Sequence, residues 1–215
     1  MSIQLGGLES YSDTLWARLP DDEIAFKRAK ETPMSEETFN AIGQIFVKNN
    51  VQHRIMLYLS HRHFELSSGE SVVEYGNVAT PWMLKTCPES IKAGISGRTW
   101  AFFDGDLRPT EFVYDPSGQD SSTAAVVPAE FVEELGAFLR EHNLEDRFGL
   151  TTCSDEEIKN PEAMKSMYET TMGRVSVMVP KEEDFQRDVV NVAWKFDGEG
   201  SRVSRDCFRC CRTHF

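Results

Sequence analysis

Three cysteines and a histidine crowd the last nine residues of this chain: Cys207, Cys210, Cys211 and His214. Cysteine and histidine at such short spacing supply the ligand chemistry of a soft, tetrahedral metal, zinc above all. The spacing is awkward by itself. On a strand Cys207 and Cys210 face opposite ways, so a turn near Arg209 must bring the thiols together. Cys207, one of Cys210 or Cys211, and His214 also leave one corner of a zinc tetrahedron vacant. The missing donor has to arrive through the fold or be water.

His61 and His63, on either side of Arg62, form the second half of the constellation. Strand alternation carries both rings to the face of Ile55, Leu57 and Leu59, pointing inward. Two buried imidazoles need partners for both nitrogens of each ring. A shared metal would meet that need, as would a carboxylate from Glu65, Glu70 or Glu74. Neutral histidines could also act as acid and base, because their ordinary pKa of about 6.5 lies near cytosolic pH. His61, His63 and Glu74 are therefore the candidate catalytic groups, Glu74 as the base beside a metal with an open position. His61, His63, Cys207, Cys210, Cys211 and His214 are the candidate metal ligands. The bland alternatives are a pair of hydrogen-bonded structural histidines and a cysteine-rich terminus that holds no metal. Cys153 precedes Ser154-Asp155-Glu156-Glu157, a helix-start pattern that can activate a thiol. Three adjacent acids oppose that activation, and Cys153 reads as structural.

The elements that must position these residues follow from hydrophobic periodicity. Asp21 to Glu31 reads as a short helix ended by Thr32-Pro33. A second helix starts at Ser35, an N-cap followed by Glu36 and Glu37, and carries Phe39, Ile42, Ile45 and Phe46 on one face. From Arg54 the period shortens to that of a strand, and Ser67-Ser68-Gly69 predicts a turn into a return strand over Val72-Val73-Glu74-Tyr75. Asn77 to Gly97 reads as a long connection. Arg98–Phe103 and Thr110–Tyr114 predict a hairpin around Asp104-Gly105-Asp106. Pro128 opens a helix with Phe131, Leu135, Phe138 and Leu139 on one face. Strands follow over Arg147–Thr152, Gly173–Val179, Val189–Phe196 and Arg202 to Phe208. This order predicts a single α+β domain over residues 1–215, a predominantly antiparallel sheet with helices packed on one side. The Cys/His-rich segment 207–215 is its candidate flexible tail.

Composition narrows the function classes. Hydrophobic residues make up 40% and charged residues 27% of 215 positions, an ordinary globular balance. A net charge of −12 repels phosphate backbones, so nucleic acid is not an expected partner. Basic residues gather only in Arg202, Arg205, Arg209 and Arg212. No apolar run approaches the roughly 20 residues of a membrane span, and no signal peptide is visible. The chain reads as a cytoplasmic protein with reduced thiols. Glycine-rich nucleotide loops, Walker lysines, GxSxG elbows and HExxH zinc helices are absent.

Leu59-Ser60-His61-Arg62-His63-Phe64, the following Glu-Ser-Val-Val-Glu at 70–74, and Trp194-Lys195-Phe196 leading into the Cys/His tail resemble a group of uncharacterised fungal proteins. The resemblance covers Arg54 to Tyr75 and the final thirty residues. It implies a soluble intracellular fungal protein and transfers no activity. The expected function is a small cytosolic metal-binding protein with zinc as cofactor. Lyase, isomerase or hydrolase action on a small molecule is compatible with that. The alternatives are a non-enzymatic domain that binds a protein partner, and a metal-free enzyme pairing Cys153 with His61 or His63.

Overall fold

The computed structural model describes residues 1–117, 126–153, 167–180, 189–203 and 209–212. In chain order the main elements are β1 (Ser2–Gln4), α1 (Asp13–Trp16), α2 (Asp22–Glu31), α3 (Glu36–Lys48), β2 (Ile55–Leu59), β3 (Glu70–Tyr75) and β4 (Val78–Met83). They continue with α4 (Glu89–Lys92), β5 (Ile95–Phe103), β6 (Asp106–Tyr114), β7 (Val126–Pro128), α5 (Ala129–Glu141) and β8 (Phe148–Thr152). The last four strands are β9 (Met167–Met172), β10 (Val175–Pro180), β11 (Val189–Trp194) and β12 (Arg209–Arg212).

The sheet is a closed barrel in the order β10-β4-β3-β6-β5-β8-β2-β11-β12-β9, with β1 and β7 paired separately. The mixture of helix and strand matches the expected class. The expected open, predominantly antiparallel sheet with helices on one side does not: the sheet is mixed and closed. β3 runs parallel to β6, and β12 parallel to β9. Closure removes sheet edges, but the period-2 alternation of an open and a closed sheet is identical, so the pattern could not separate them. β2 is buried along its whole length. A one-sided sheet would have left alternate residues exposed.

The return strand also pairs differently. β2 lies between β8 and β11, whereas β3 pairs with β4 and β6. The reading of 77–97 as a connection missed β4, because Pro81 argues against a strand. Pro81 is tolerated because β10 pairs with β4 only at Val78 and Ala79, leaving the Pro81 edge without a ladder bond to lose. Part of the expected last strand, 204–208, lies outside the described residues. Within them, Arg202 bridges Phe196 and β12 begins at Arg209.

Two main apolar cores among the described residues support the barrel. The larger joins α2, α3 and α5 to one arc of the wall, including Ile55, Leu57, Leu59, Trp100, Leu150 and Val192. Here the Ser35 cap read from sequence holds, the Thr38 amide donating to Ser35 Oγ at 3.1 Å; Asp21, read as helical, instead caps α2, its Oδ1 accepting from the Ile24 amide at 2.9 Å. Phe46 of α3 meets Phe131 of α5 edge-on, with ring centroids 5.0 Å apart. The smaller core packs Trp16 and Leu19 against Val72, Ala101 and Phe103.

α3 approaches the turn before β12 closely. A Cβ on Gly43 would overlap the Gly200 carbonyl, and Gly200 sits at φ +80. Alanine gains about 1 kcal/mol in helix propensity over glycine, but overpacking against backbone costs about 1–3 kcal/mol. Gly43→Ala should therefore lower the melting temperature. An unchanged or raised value would show that the Gly200 turn yields freely.

Candidate metal centre

The site starts where β2 ends. The Arg62 amide donates to Pro20 O at 2.9 Å, and the Asp22 amide donates to Arg62 O at 3.0 Å. Arg62 Nε donates to Leu19 O at 2.9 Å. These bonds zip Arg62 onto the start of α2, and its neighbours His61 and His63 turn the other way. His61 lies between Phe26 and Tyr58, at centroid distances of 5.2 and 5.4 Å. The same zipper brings Asp22, the first residue of α2, within 3.3 Å of His63 Nδ1.

The opposite side of the site comes from the barrel seam. Cys211 of β12 is registered directly against Glu169 of β9, which sets both side chains on one face. Cys211 Sγ lies 3.6 Å from His61 Nε2, 3.7 Å from His63 Nε2 and 3.5 Å from Glu169 Oε2. The two Nε2 atoms are 3.2 Å apart, and His63 Nε2 is 3.5 Å from Glu169 Oε1. Zinc with bonds of about 2.0–2.1 Å to nitrogen and about 2.3 Å to sulfur has tetrahedron edges of about 3.3 Å (N···N) and about 3.6 Å (N···S). The separations among the two Nε2 atoms and Cys211 Sγ match those edges. His61, His63 and Cys211 thus form a group that could hold a metal ion, with Glu169 contacting it through Oε2 at Cys211 and through Oε1 at His63.

The partners of the distal ring nitrogens fix the donor atoms. The Leu59 carbonyl, 2.7 Å away, can only accept, so His61 Nδ1 carries a hydrogen and Nε2 presents its lone pair. Asp22 imposes the same orientation on His63, the carboxylate–histidine arrangement common behind metal ligands.

Burial, with the neighbouring His63 charge, pushes His61 down to about 4, so this ring is neutral. Burial alone would depress His63 too, but Glu169, Cys211 and Asp22 outweigh it and hold His63 well above the ordinary value. Burial would raise Glu169, yet His63 draws it down to about 2. The Cys211 thiol is pushed up to about 12 by burial and by Glu169. Without metal the cluster is therefore a neutral His61, a cationic His63, a thiol and two carboxylates. A divalent ion that displaces one proton from His63 and one from Cys211 leaves the buried charge unchanged.

Glu169 also faces a cavity enclosed by strands of the barrel, lined by Tyr58, Glu74, Asn77, Arg98, Glu111 and Ser176 among others. The register of β5 slips between Gly97 and Trp100, a bulge at the point where Arg98 lines the cavity. Arg98 Nε is 2.9 Å from Glu74 Oε2, and Thr99 Oγ1 donates to Glu111 Oε2 at 2.8 Å. Burial and the Glu169 charge push Glu111 up to about 7. Burial also raises Glu74, against the pull of Arg98. The free space has room for about one water.

The sequence candidates divide accordingly. His61, His63 and Cys211 converge, while Glu74 lies in the cavity wall, ion-paired with Arg98. Cys210, on β12, is registered against Asn191 of β11. Cys207 and His214 lie outside the described residues. Cys153 is buried in the larger core, its amide donating to Arg54 O, at the far end of β2 from His61. Seven residues of roughly extended chain separate Arg54 from His61, on the order of 20 Å, so Cys153 and the histidines are not one catalytic unit. Sequence reasoning missed Asp22, Glu169, Glu111 and Arg98. Asp22 passes for a helix-start acid, and Glu169 signals itself only as a charge among strand-forming residues.

Titrating the metal-free protein with zinc near pH 6 should release about two protons per ion, and affinity should rise with pH. Calorimetry in buffers of different ionisation enthalpy reads the count. Zero released protons would contradict a cationic His63 and a neutral Cys211 thiol in the metal-free protein.

Comparison with protein-family models, with curated proteins and with solved structures finds no match.

Proposed function

We propose that this chain is a zinc-binding protein with one centre, in which His61, His63 and Cys211 hold the ion. The observation that carries the reading is the set of separations among the three donor atoms, 3.2 to 3.7 Å, which suits a tetrahedral ion of zinc's bond lengths. The donor set supports zinc over magnesium or calcium, since thiolate and imidazole are poor ligands for hard cations. A thiolate ligand also needs a reducing compartment, which fits a cytoplasmic protein.

A second observation favours chemistry on a small molecule over a purely mechanical role. The cavity beside the centre is lined by three carboxylates and an arginine, which a metal clasp does not require and which are costly to bury. The alternative of a protein-interaction domain has no comparably specific support.

Protein purified without chelator should contain about one zinc per chain by elemental analysis. Metal-free preparations from an unchelated, reduced purification would sink the proposal. His63→Ala and Cys211→Ala should each abolish stoichiometric zinc. Asp22→Asn, which alters the partner behind the His63 ring and leaves the three donor residues in place, should keep zinc but weaken it by about 10–100-fold.

A further inference from the structure

We infer that the protein carries a second ligand site, a pocket beside the end of β2 that takes a small aromatic amine with a hydroxyl group opposite its ammonium. The inference stands apart from the metal centre and does not depend on it.

The pocket has a volume of about 220 Å³. Benzene occupies an engineered cavity of about 150 Å³, so this one admits a single ring with a short side chain. Leu19, Ala101, Phe102 and Phe103, all buried, give it apolar walls suited to a ring. Ser60, one residue before His61, also lines it and is only 3% exposed. The Ser60 amide donates to Arg147 O, but the Ser60 hydroxyl has no hydrogen-bond partner among the described residues. A buried hydroxyl left unpaired is costly, and a ligand hydroxyl beside it supplies the missing bond.

The outer residues of the lining are charged. Arg18 is neutralised there by a two-pronged pair with Asp104, at 2.8 and 3.1 Å. Glu145 and Asp146 each meet an arginine through a single oxygen. Arg140 donates to Glu145 Oε1 at 3.1 Å, and Arg28 donates to Asp146 Oδ2 at 3.4 Å. The Asp146 side chain is 70% exposed and holds its arginine at the longer distance, which leaves it the readier acceptor for a ligand. Three carboxylates face one guanidinium on this lining, in a protein of net charge −12, so the mouth favours a cation over an anion. From the buried end outward, the pocket thus offers a hydroxyl, apolar walls and acids. A ligand that matches this order carries a hydroxyl, a ring and an ammonium in line.

Tyramine has that layout and serves as the probe, with calorimetry on the full chain. Saturable binding of one tyramine per chain is expected. Phenethylamine, which lacks the hydroxyl, should bind about tenfold more weakly, because Ser60 then stays unpaired. Hydroxyphenylacetate, with a carboxylate in place of the ammonium, should not bind measurably. Ser60→Ala should fold normally and bind tyramine no better than phenethylamine. Asp146→Asn, a change at an exposed position, should weaken both amines several-fold.

Absence of saturable tyramine binding to the native chain would overturn the inference. Equal affinity for tyramine and phenethylamine, or an undiminished preference in Ser60→Ala, would overturn it by showing that the buried hydroxyl is not part of the site. Comparable binding of hydroxyphenylacetate, or indifference to Asp146→Asn, would do the same for the acidic mouth. A chain that binds tyramine but holds no zinc would keep this inference and lose the metal-centre reading alone.

Discussion

Two imidazole nitrogens face each other at 3.2 Å inside the protein, and much of the site exists to make that arrangement tolerable. With bare lone pairs on both, the contact would be repulsive in a medium that screens poorly. Something positive must stand between or beside them, either the proton that His63 holds or a metal ion. Asp22 and Glu169 secure that positive charge from opposite sides, one through Nδ1 and the other at Nε2. The thiol of Cys211 completes the enclosure without adding charge until a metal draws off its proton. A proton and a metal ion bound as proposed would compete for one place, in surroundings whose charge is balanced for either occupant.

The barrel divides labour between its surfaces. On the outer arc, α2, α3 and α5 cover the wall with interlocking aromatic and aliphatic side chains, and stability comes from apolar burial. The inner surface carries Glu74, Arg98, Glu111 and Glu169 together with Tyr58, groups that weaken a core unless they serve each other or a ligand. The bulge in β5 marks the transition: Arg98 faces the cavity, while Trp100, two residues on, belongs to the outer core. Glu169 belongs to both the polar interior and the centre.

What could be read from the sequence was whatever depends on near neighbours. The helix from Ser35, the helix opened by Pro128 and the hairpin around Asp104-Gly105 all rest on caps, turns and periodicity within a few residues. The inward direction of His61 and His63 followed from alternation, and the choice of cysteine as their partner followed from ligand chemistry. What could not be read depends on strand order. Cys211 meets the histidines because β12 lies between β9 and β11, and no local pattern encodes that placement. Glu169 is registered against Cys211 by the same pairing. Asp22 reaches His63 only because main-chain bonds hold Arg62 to Pro20 and Asp22. Glu74 was noticed as a carboxylate near the histidines in sequence, but its closest charged partner, Arg98, comes from the strand beyond the next crossover.

The seam between β12 and β9 has a kinetic consequence. Cys211 follows His61 by 150 residues, so one half of the centre exists long before the other during synthesis. Closing a loop of that length costs about 4 kcal/mol of chain entropy before any contact offsets it. Until then, the histidines occupy the end of a strand whose barrel is still open. An ion captured early by His61 and His63 alone would be bound loosely and could still exchange. Arrival of the last strand would turn that loose capture into retention, making completion of the barrel and commitment to a particular metal a single event.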